Sequence, residues 1–258
     1  MHEKEVRSRE ALSHLMDRHD RVFLAFGGGK DSLLVAHLCE PWREKVTLLF
    51  VNTGFTFPHM LHSVRSLGAK FHLEEIEVDL MRSWTDHGFP ASVLPVDHAI
   101  GFGLHKHPKM QPWLQCCHLN RTLPLLEFMN SQQKPTAFLH GQKRCDRAPG
   151  LSPGNLVIEG VEIFSPLWDW SDDEVRRFIL ERELPLPSHY DEVDDSLDCW
   201  CCPHSLGQLG ANYSGWMGGT YPELKRQVLP LVAQEARIAA RAVMDLKKIL
   251  DTELLGNS

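Results

Sequence analysis

Arg21-Val22-Phe23-Leu24-Ala25-Phe26-Gly27-Gly28-Gly29-Lys30-Asp31-Ser32-Leu33-Leu34-Val35 is the stretch on which the fold turns. A short apolar run ends in three glycines, and an amphipathic segment starts directly after them. Such a run reads as a buried strand, and the glycine triplet as the turn into a helix. Strand, glycine turn and helix bring several backbone N–H groups and the positive end of a helix dipole to one point, which suits an anion. Lys30 can neutralise a phosphate there and Ser32 can donate to one. The spacing is not that of a Walker A loop: Leu24 stands where the first glycine is needed, and Asp31 follows the lysine. The Gly-x-Gly-x-x-Gly dinucleotide spacing is absent as well.

Working outward, further apolar runs at 46–51, about 71–78, 136–140 and 156–164 read as strands. Amphipathic segments at about 3–18, 31–40, 57–67, 118–131 and 172–183 read as helices. Ser171 with Glu174 forms a capping box that starts the last of these. The segment 221–251 is also predicted helical, with Pro222 near its start and a break at Pro230. This alternation predicts an α/β fold: a Rossmann-like, parallel sheet of about five strands flanked by helices. Residues 79–117, with His87, His98, His105 and His107, and residues 184–220 show no clean period. They are expected to form an irregular, cysteine-bearing layer, with a main domain over 1–205 and a C-terminal helical extension over 206–258.

The 258 residues are 43% hydrophobic and 24% charged, enough for a full core, which excludes a disordered, collagenous or coiled-coil chain. No apolar run is long enough to span a membrane and the first residues do not resemble a secretion signal, so the expected location is the cytoplasm, without membrane contact. The net charge of −7 argues against a general grip on nucleic acid. Locally the balance differs: residues 105–147 hold seven basic side chains (Lys106, Lys109, Arg121, Lys134, Lys143, Arg144, Arg147) against two acidic ones. That stretch is where an anionic partner would land.

Five of the seven cysteines fall in two tight groups, Cys116-Cys117 and Cys199-Trp200-Cys201-Cys202. In a reducing compartment this grouping points to a metal centre before disulfides. Cys199 and Cys202 have chelating spacing, and the first pair completes four-coordination for zinc or for a 4Fe-4S cluster. An adjacent pair is awkward around one small ion, whereas a cluster offers separate iron corners, so the cluster is the favoured reading. Cys39 and Cys145 read as structural or incidental.

The loop Gly27–Ser32 resembles the Ser-Gly-Gly-x-Asp-Ser pyrophosphate loop of the ATP pyrophosphatases, within the adenine nucleotide alpha-hydrolase superfamily that includes the phosphoadenylyl-sulfate and adenylyl-sulfate reductases. Gly27 replaces the usual serine. Asn52-Thr53-Gly54-Phe55-Thr56-Phe57-Pro58 is similar to the reductases' Asp-Thr-Gly-x-x-Phe-Pro segment, which lines the nucleotide pocket, with Asn52 replacing the acid. Gly141-Gln142-Lys143-Arg144 resembles the Gly-x-Arg-Arg anion-binding turn, and Pro166-Leu167-Trp168-Asp169-Trp170-Ser171 resembles the Pro-Leu-x-Asp-Trp-Thr entry to a helix. In order, these matches cover about residues 20–205. By the same resemblance Cys116, Cys117, Cys199 and Cys202 are the cluster ligands and Cys201 is the spare thiol.

One departure shapes the functional expectation. The reductases act through a cysteine in a mobile C-terminal segment, and no cysteine follows Cys202 here. A sulfonyl group cannot be attacked by thiol chemistry without a thiolate. The Lys30-Asp31-Ser32 form of the loop is that of enzymes cleaving ATP to AMP and pyrophosphate. The expectation is therefore an adenylating, sulfur-transferring ATP pyrophosphatase of this family, of the DNA- or tRNA-thiolating type. Gly27–Ser32, Asn52, Thr53, Gly54 and Gly141 would bind the nucleotide, Mg2+ would bridge phosphates near Asp31, and Lys30, Lys143 and Arg144 would stabilise developing charge. A cysteine desulfurase as sulfur donor, a nucleic-acid acceptor on 105–147 and a homo-oligomer complete the expected partners. The alternatives are an adenylyl-sulfate or phosphoadenylyl-sulfate reductase and a non-catalytic, cluster-bearing nucleotide sensor.

Overall fold

The computed structural model describes residues 3–91, 109–132, 136–146, 155–158, 160–208 and 210–255. His98, His105, Lys106, His107, Lys134 and Arg147, part of the expected histidine-rich and basic features, lie outside the described residues. Two compact units divide the chain. The first comprises Met1–Asn52, Thr56–Val78 and Leu123–Asp198, and the second Thr53–Phe55, Asp79–Thr122 and Cys199–Ser258.

The first unit holds α1 (Glu3–Arg18), β1 (Val22–Ala25), α2 (Lys30–Leu38), β2 (Val46–Asn52), α3 (Pro58–Gly68) and β3 (His72–Glu77). After the chain returns from the second unit, α6 (Leu123–Asn130), β6 (Thr136–Leu139), β7 (Asn155–Ile158), β8 (Val161–Phe164) and α7 (Asp172–Glu181) follow. The six strands are ordered β3-β2-β1-β6-β8-β7. All neighbours pair parallel except β7 with β8. The segment 156–164, expected as one strand, is thus a tight hairpin: Ile158 pairs with Val161, and Gly160 turns the chain at a φ of 82°. Glycine adopts that left-handed conformation without the penalty a Cβ imposes.

Alternation along the central strands fills both faces of the sheet. Val22, Leu24, Leu48, Phe50, Ala137 and Leu139 point to one face, where they pack with Leu12, Leu34, Val64, Val175 and Phe178 from α1, α2, α3 and α7. Phe23, Leu49, Phe138 and Ile163 point to the other, against Met129 and Phe128 of α6. The order reverses at β1: β2 follows it on one side and β6 lies on the other. In such sheets ligands bind beyond the carboxyl ends of the strands at the reversal point, which here is flanked by the loops after β1 and β6.

The second unit contains α4 (Leu80–His87), β4 (Phe89–Ala91), β5 (Met110–Pro112), α5 (Trp113–Cys117), α8 (Pro203–Gln208), α9 (Gly210–Thr220) and α10 (Pro222–Leu255). The helix expected over 118–131 is present as α6, Leu123–Asn130, preceded by a π-helical turn, His118–Thr122, that joins it to α5. Pro124 has no N–H to offer the preceding turn, and such turns absorb the mismatch. The 34-residue α10 runs through Pro230 rather than breaking there; the alanine-rich sequence beyond it favours continuation enough to outlast one missing hydrogen bond. Residues 210–220, expected as irregular, are helical because Tyr213, Trp216 and Met217 bury one face at helical spacing. That burial outweighs the cost of the glycines. Among the described residues no helix is long and apolar enough to cross a membrane.

Candidate functional site

The loop after β1 begins where the Phe26 N–H bonds the Leu49 carbonyl at 2.9 Å. Gly28 then takes a φ of 78°, and a Cβ there would stand 3.0 Å from Val64. Gly29 caps α2 in an extended conformation with no side-chain hydrogen bond, so the first N–H groups of the helix have no intrahelical partner. Lys30, Asp31 and Ser32 form the first turn. The Ser32 hydroxyl donates to the Gly29 carbonyl at 3.0 Å, bracing the loop from within.

Five charged side chains converge at the head of α2. The Lys30 ammonium lies 2.9 Å from Asp31 and 2.6 Å from Asp172. The Lys143 ammonium lies 2.8 Å from Asp31, 3.0 Å from Asp146 and 3.4 Å from Asp172. Both lysines are buried. Burial alone would lower their pKa values, but the aspartates outweigh it and hold both above the usual lysine range. The same pairing holds Asp172 below the usual carboxylate range against the effect of burial. Lys30, Asp31 and Lys143 are therefore brought together as the sequence suggested. Asp146 and Asp172 were not foreseen; Asp172 lies inside the capping-box sequence and reads there as an ordinary helix start.

Gly141 permits the convergence, because a Cβ there would meet the Asp31 backbone at 2.9 Å. Arg144 is not part of the cluster: its exposed guanidinium bonds Asp169 at 2.6 Å and lies over the Trp168 ring. Asn52 ends β2, donating to Glu75 at 2.6 Å. The ligand atoms of Cys145, Asp146 and Asp172 come within 4.8 Å of one another, but a thiol is a poor ligand for magnesium and both oxygens of Asp31 face lysines.

In the second unit, Cys116 and Cys117 end α5, and Cys199–Cys202 lead into α8. The Cys202 N–H bonds the Cys199 carbonyl at 3.1 Å, and the Trp200 N–H bonds the Phe55 carbonyl at 2.9 Å. Cys116, Cys201 and Leu80 form a buried cluster against Phe55, Trp84, Cys199 and Trp200. Donors aim at the sulfurs: Trp84 Nε1 lies 3.4 Å and Asn120 Nδ2 3.6 Å from Cys116 Sγ, and the Thr53 hydroxyl stands 3.2 Å from Cys199 Sγ. The backbone N–H groups of His204 and Ser205 face Cys202. Burial pushes the thiols of Cys116, Cys201 and Cys202 up, and nearby Cys199, Cys202 and Cys116 push Cys201 further. Cys116 and Cys201 are buried in one cluster with Cys199 packed against it, and Cys117, Cys199 and Cys202 are half-buried. Among the described residues these cysteines do not form a group of three ligand atoms within 4.8 Å, so they are not gathered for one small ion; sulfurs spaced more widely and supplied with hydrogen-bond donors suit the separate corners of a cluster.

A mostly parallel sheet with a glycine loop and an anion-suited helix terminus at its reversal point defines a protein of the adenine nucleotide alpha-hydrolase fold. The phosphoadenosine phosphosulfate reductase domain matches residues 21–205, and the chain belongs to that family. It is 23% identical over 185 residues to an adenosine 5'-phosphosulfate reductase of Salinibacter ruber, covering 70% of this chain and 67% of that one. It is 25% identical over 185 residues to a phosphoadenosine 5'-phosphosulfate reductase of Gloeobacter violaceus, covering 70% of each. In three dimensions it resembles a phosphoadenylyl-sulfate reductase from Candida auris, solved as a phosphate complex, with a TM-score of 0.52, 18% identity, and 75% of this chain and 88% of that one covered. It also resembles an NH3-dependent NAD synthetase of Campylobacter jejuni, with a TM-score of 0.50, 16% identity, and 90% and 93% covered.

Proposed function

We propose that the protein is an adenylating ATP pyrophosphatase of the phosphoadenosine phosphosulfate reductase family, acting in sulfur transfer. ATP lies with its phosphates on Gly27–Ser32 and its nucleoside near Asn52 and Gly141. An acceptor oxygen attacks the α-phosphorus, the bond to the bridging oxygen breaks, and pyrophosphate leaves with its magnesium. Lys30 and Lys143 balance the charge that develops on the phosphates, and Arg144, paired with Asp169, takes no part. This is mainly electrostatic catalysis by groups already in place. The terminal sulfur of a cysteine-desulfurase persulfide then attacks the adenylated acceptor and displaces AMP, and a second thiol cleaves the resulting S–S bond, leaving the thiolated acceptor and a disulfide.

The observation that supports this reading best is the pair of buried lysines held over Asp31 at the glycine loop, a charge arrangement suited to a polyphosphate. Cys116, Cys117, Cys199 and Cys202 would hold a 4Fe-4S cluster, which when bound can hold or relay sulfur. A nucleic-acid acceptor would use the basic 105–147 stretch and show salt-dependent binding.

The names of the relatives favour a second reading, reduction of adenylyl sulfate or its 3'-phosphate. The thiol available for it would be Cys201, but that side chain is 3% exposed and its thiol is held protonated by burial, which suits a nucleophile poorly. Anaerobically purified protein incubated with ATP, and separately with adenylyl sulfate plus thioredoxin, separates the two. Pyrophosphate release in the first supports adenylation; sulfite release in the second overturns it. Neither product, with nucleotide still bound, would assign a sensor.

A further inference from the structure

The wall of the phosphate loop is formed by a segment that none of the motifs includes. Tyr190, in the 3-10 turn Ser188–Asp191, is buried, and its hydroxyl accepts the Lys30 N–H at 3.1 Å. The same hydroxyl lies 3.2 Å from the Ser196 hydroxyl. Both oxygens stand 3.3 Å from the place a Cβ of Gly29 would occupy. Two hydroxyls therefore press on the one loop residue that caps α2, and the residue must be glycine to admit them.

The Tyr190 oxygen accepts from the Lys30 N–H, and either hydroxyl of the Tyr190–Ser196 pair can donate to the other. An anion beside Gly29 selects the arrangement in which Tyr190 donates to Ser196. The proton of Ser196, on an exposed residue beside Gly29, is then available to an anion. The His189 ring, fully buried and 4.2 Å from the Tyr190 ring, and the Arg176 guanidinium 5.7 Å from its centre hold the phenol in place. A chain of donors ordered in one direction strengthens its last member.

We infer that Tyr190 and Ser196 complete the phosphate site: Tyr190 positions the loop through the Lys30 N–H, and Ser196 donates its hydroxyl proton to a phosphate oxygen of the nucleotide. Gly27 lacks a side-chain hydroxyl, and Ser32 spends its own on Gly29, so Ser196 supplies the side-chain donor that the loop itself does not present. The inference rests on the proposed nucleotide role of Gly27–Ser32.

The test is calorimetric titration of inorganic pyrophosphate with magnesium into the full chain and into Tyr190→Phe, Ser196→Ala and the double variant. ATP-dependent pyrophosphate release is measured in parallel. The expected result is about tenfold weaker pyrophosphate binding in each single variant, and a double variant no weaker than the worse single, since both interrupt one chain. KM for ATP should rise by the same factor with kcat changed less than about threefold. Ser196 is exposed, so Ser196→Ala reports even if Tyr190→Phe folds poorly. Wild-type affinity in both single variants, or additive losses in the double, overturns the inference while leaving the loop's role intact. Failure of the unaltered chain to bind pyrophosphate overturns both.

Discussion

The Lys143 ammonium lies 2.8 Å from Oδ1 of Asp31, tying the loop after β6 to the head of α2. The Lys143 side chain is 2% exposed and that of Asp31 20% exposed, so the pair sits where removing one partner leaves a poorly hydrated charge. Lys143→Met is expected to destabilise the fold by about 2 kcal/mol, below the range for fully buried pairs because Asp31 retains some water. ATP turnover should fall with it. Because pairing raises the lysine above its unfolded value, this contribution is fully present below about pH 10.4 and is lost as the pH rises through the folded value. Urea titrations of both proteins at pH 7 and above pH 11 should show the gap closing; a constant gap would contradict the ion-pair account.

Two imidazoles, His189 buried and His140 half-buried, set an opposite trend at mildly acid pH. Burial holds His140 and His189 down at about 4, and Nδ1 of His140 accepts the Gln142 N–H at 3.3 Å, which requires its neutral form. The unfolded chain therefore binds more protons between about 6.5 and 4, so stability is lost as pH falls through that window. The denaturation midpoint should drop from pH 7 to pH 5, and His140→Gln should flatten the dependence.

Gly141→Ala is expected to push the loop after β6 away from Asp31, since the added carbon would meet backbone at 2.9 Å. The cost should be about 1–3 kcal/mol, as for other overpacked sites. A larger loss should appear in nucleotide affinity than in the thermal midpoint, because the clash falls on the loop and not in the core. Equal affinity in fluorescence titration with ATP would show that the two loops need not meet.

For the cysteine site, anaerobically prepared protein should carry iron and sulfide with absorbance near 400 nm, lost in Cys116→Ser and Cys202→Ser and retained in Cys145→Ser. Thr53→Val removes the hydroxyl 3.2 Å from Cys199. It should keep the absorbance but shift the reduction potential, because hydrogen bonds to ligating sulfur tune it. Zinc found in place of iron would support the other metal.

Much of this was legible in the chain because it is local. Apolar runs bounded by glycines announce strands, and the triplet Gly27–Gly29 marks the turn into α2 without reference to any distant residue. Where tertiary packing decides, local reading failed. Glycines made 210–220 look irregular until the burial of Tyr213, Trp216 and Met217 stabilised a helix. Gly160 is a local signal that a continuous apolar run obscured, and it divides that run into the β7–β8 hairpin.

The site divides in the same way. That Lys30 and Asp31 follow a glycine turn, and that the cysteines come in two groups, can be read along the chain, since both are statements about neighbours. The placing of Asp172, Asp146, Tyr190 and Ser196 beside that turn, and of Arg144 against Asp169, comes from folding alone. Their charges and hydroxyls are ordinary in sequence. They gain meaning when folding of the parallel sheet brings the segments after β1, β6 and β8 to its reversal point, where burial raises the cost of leaving any of them unpaired.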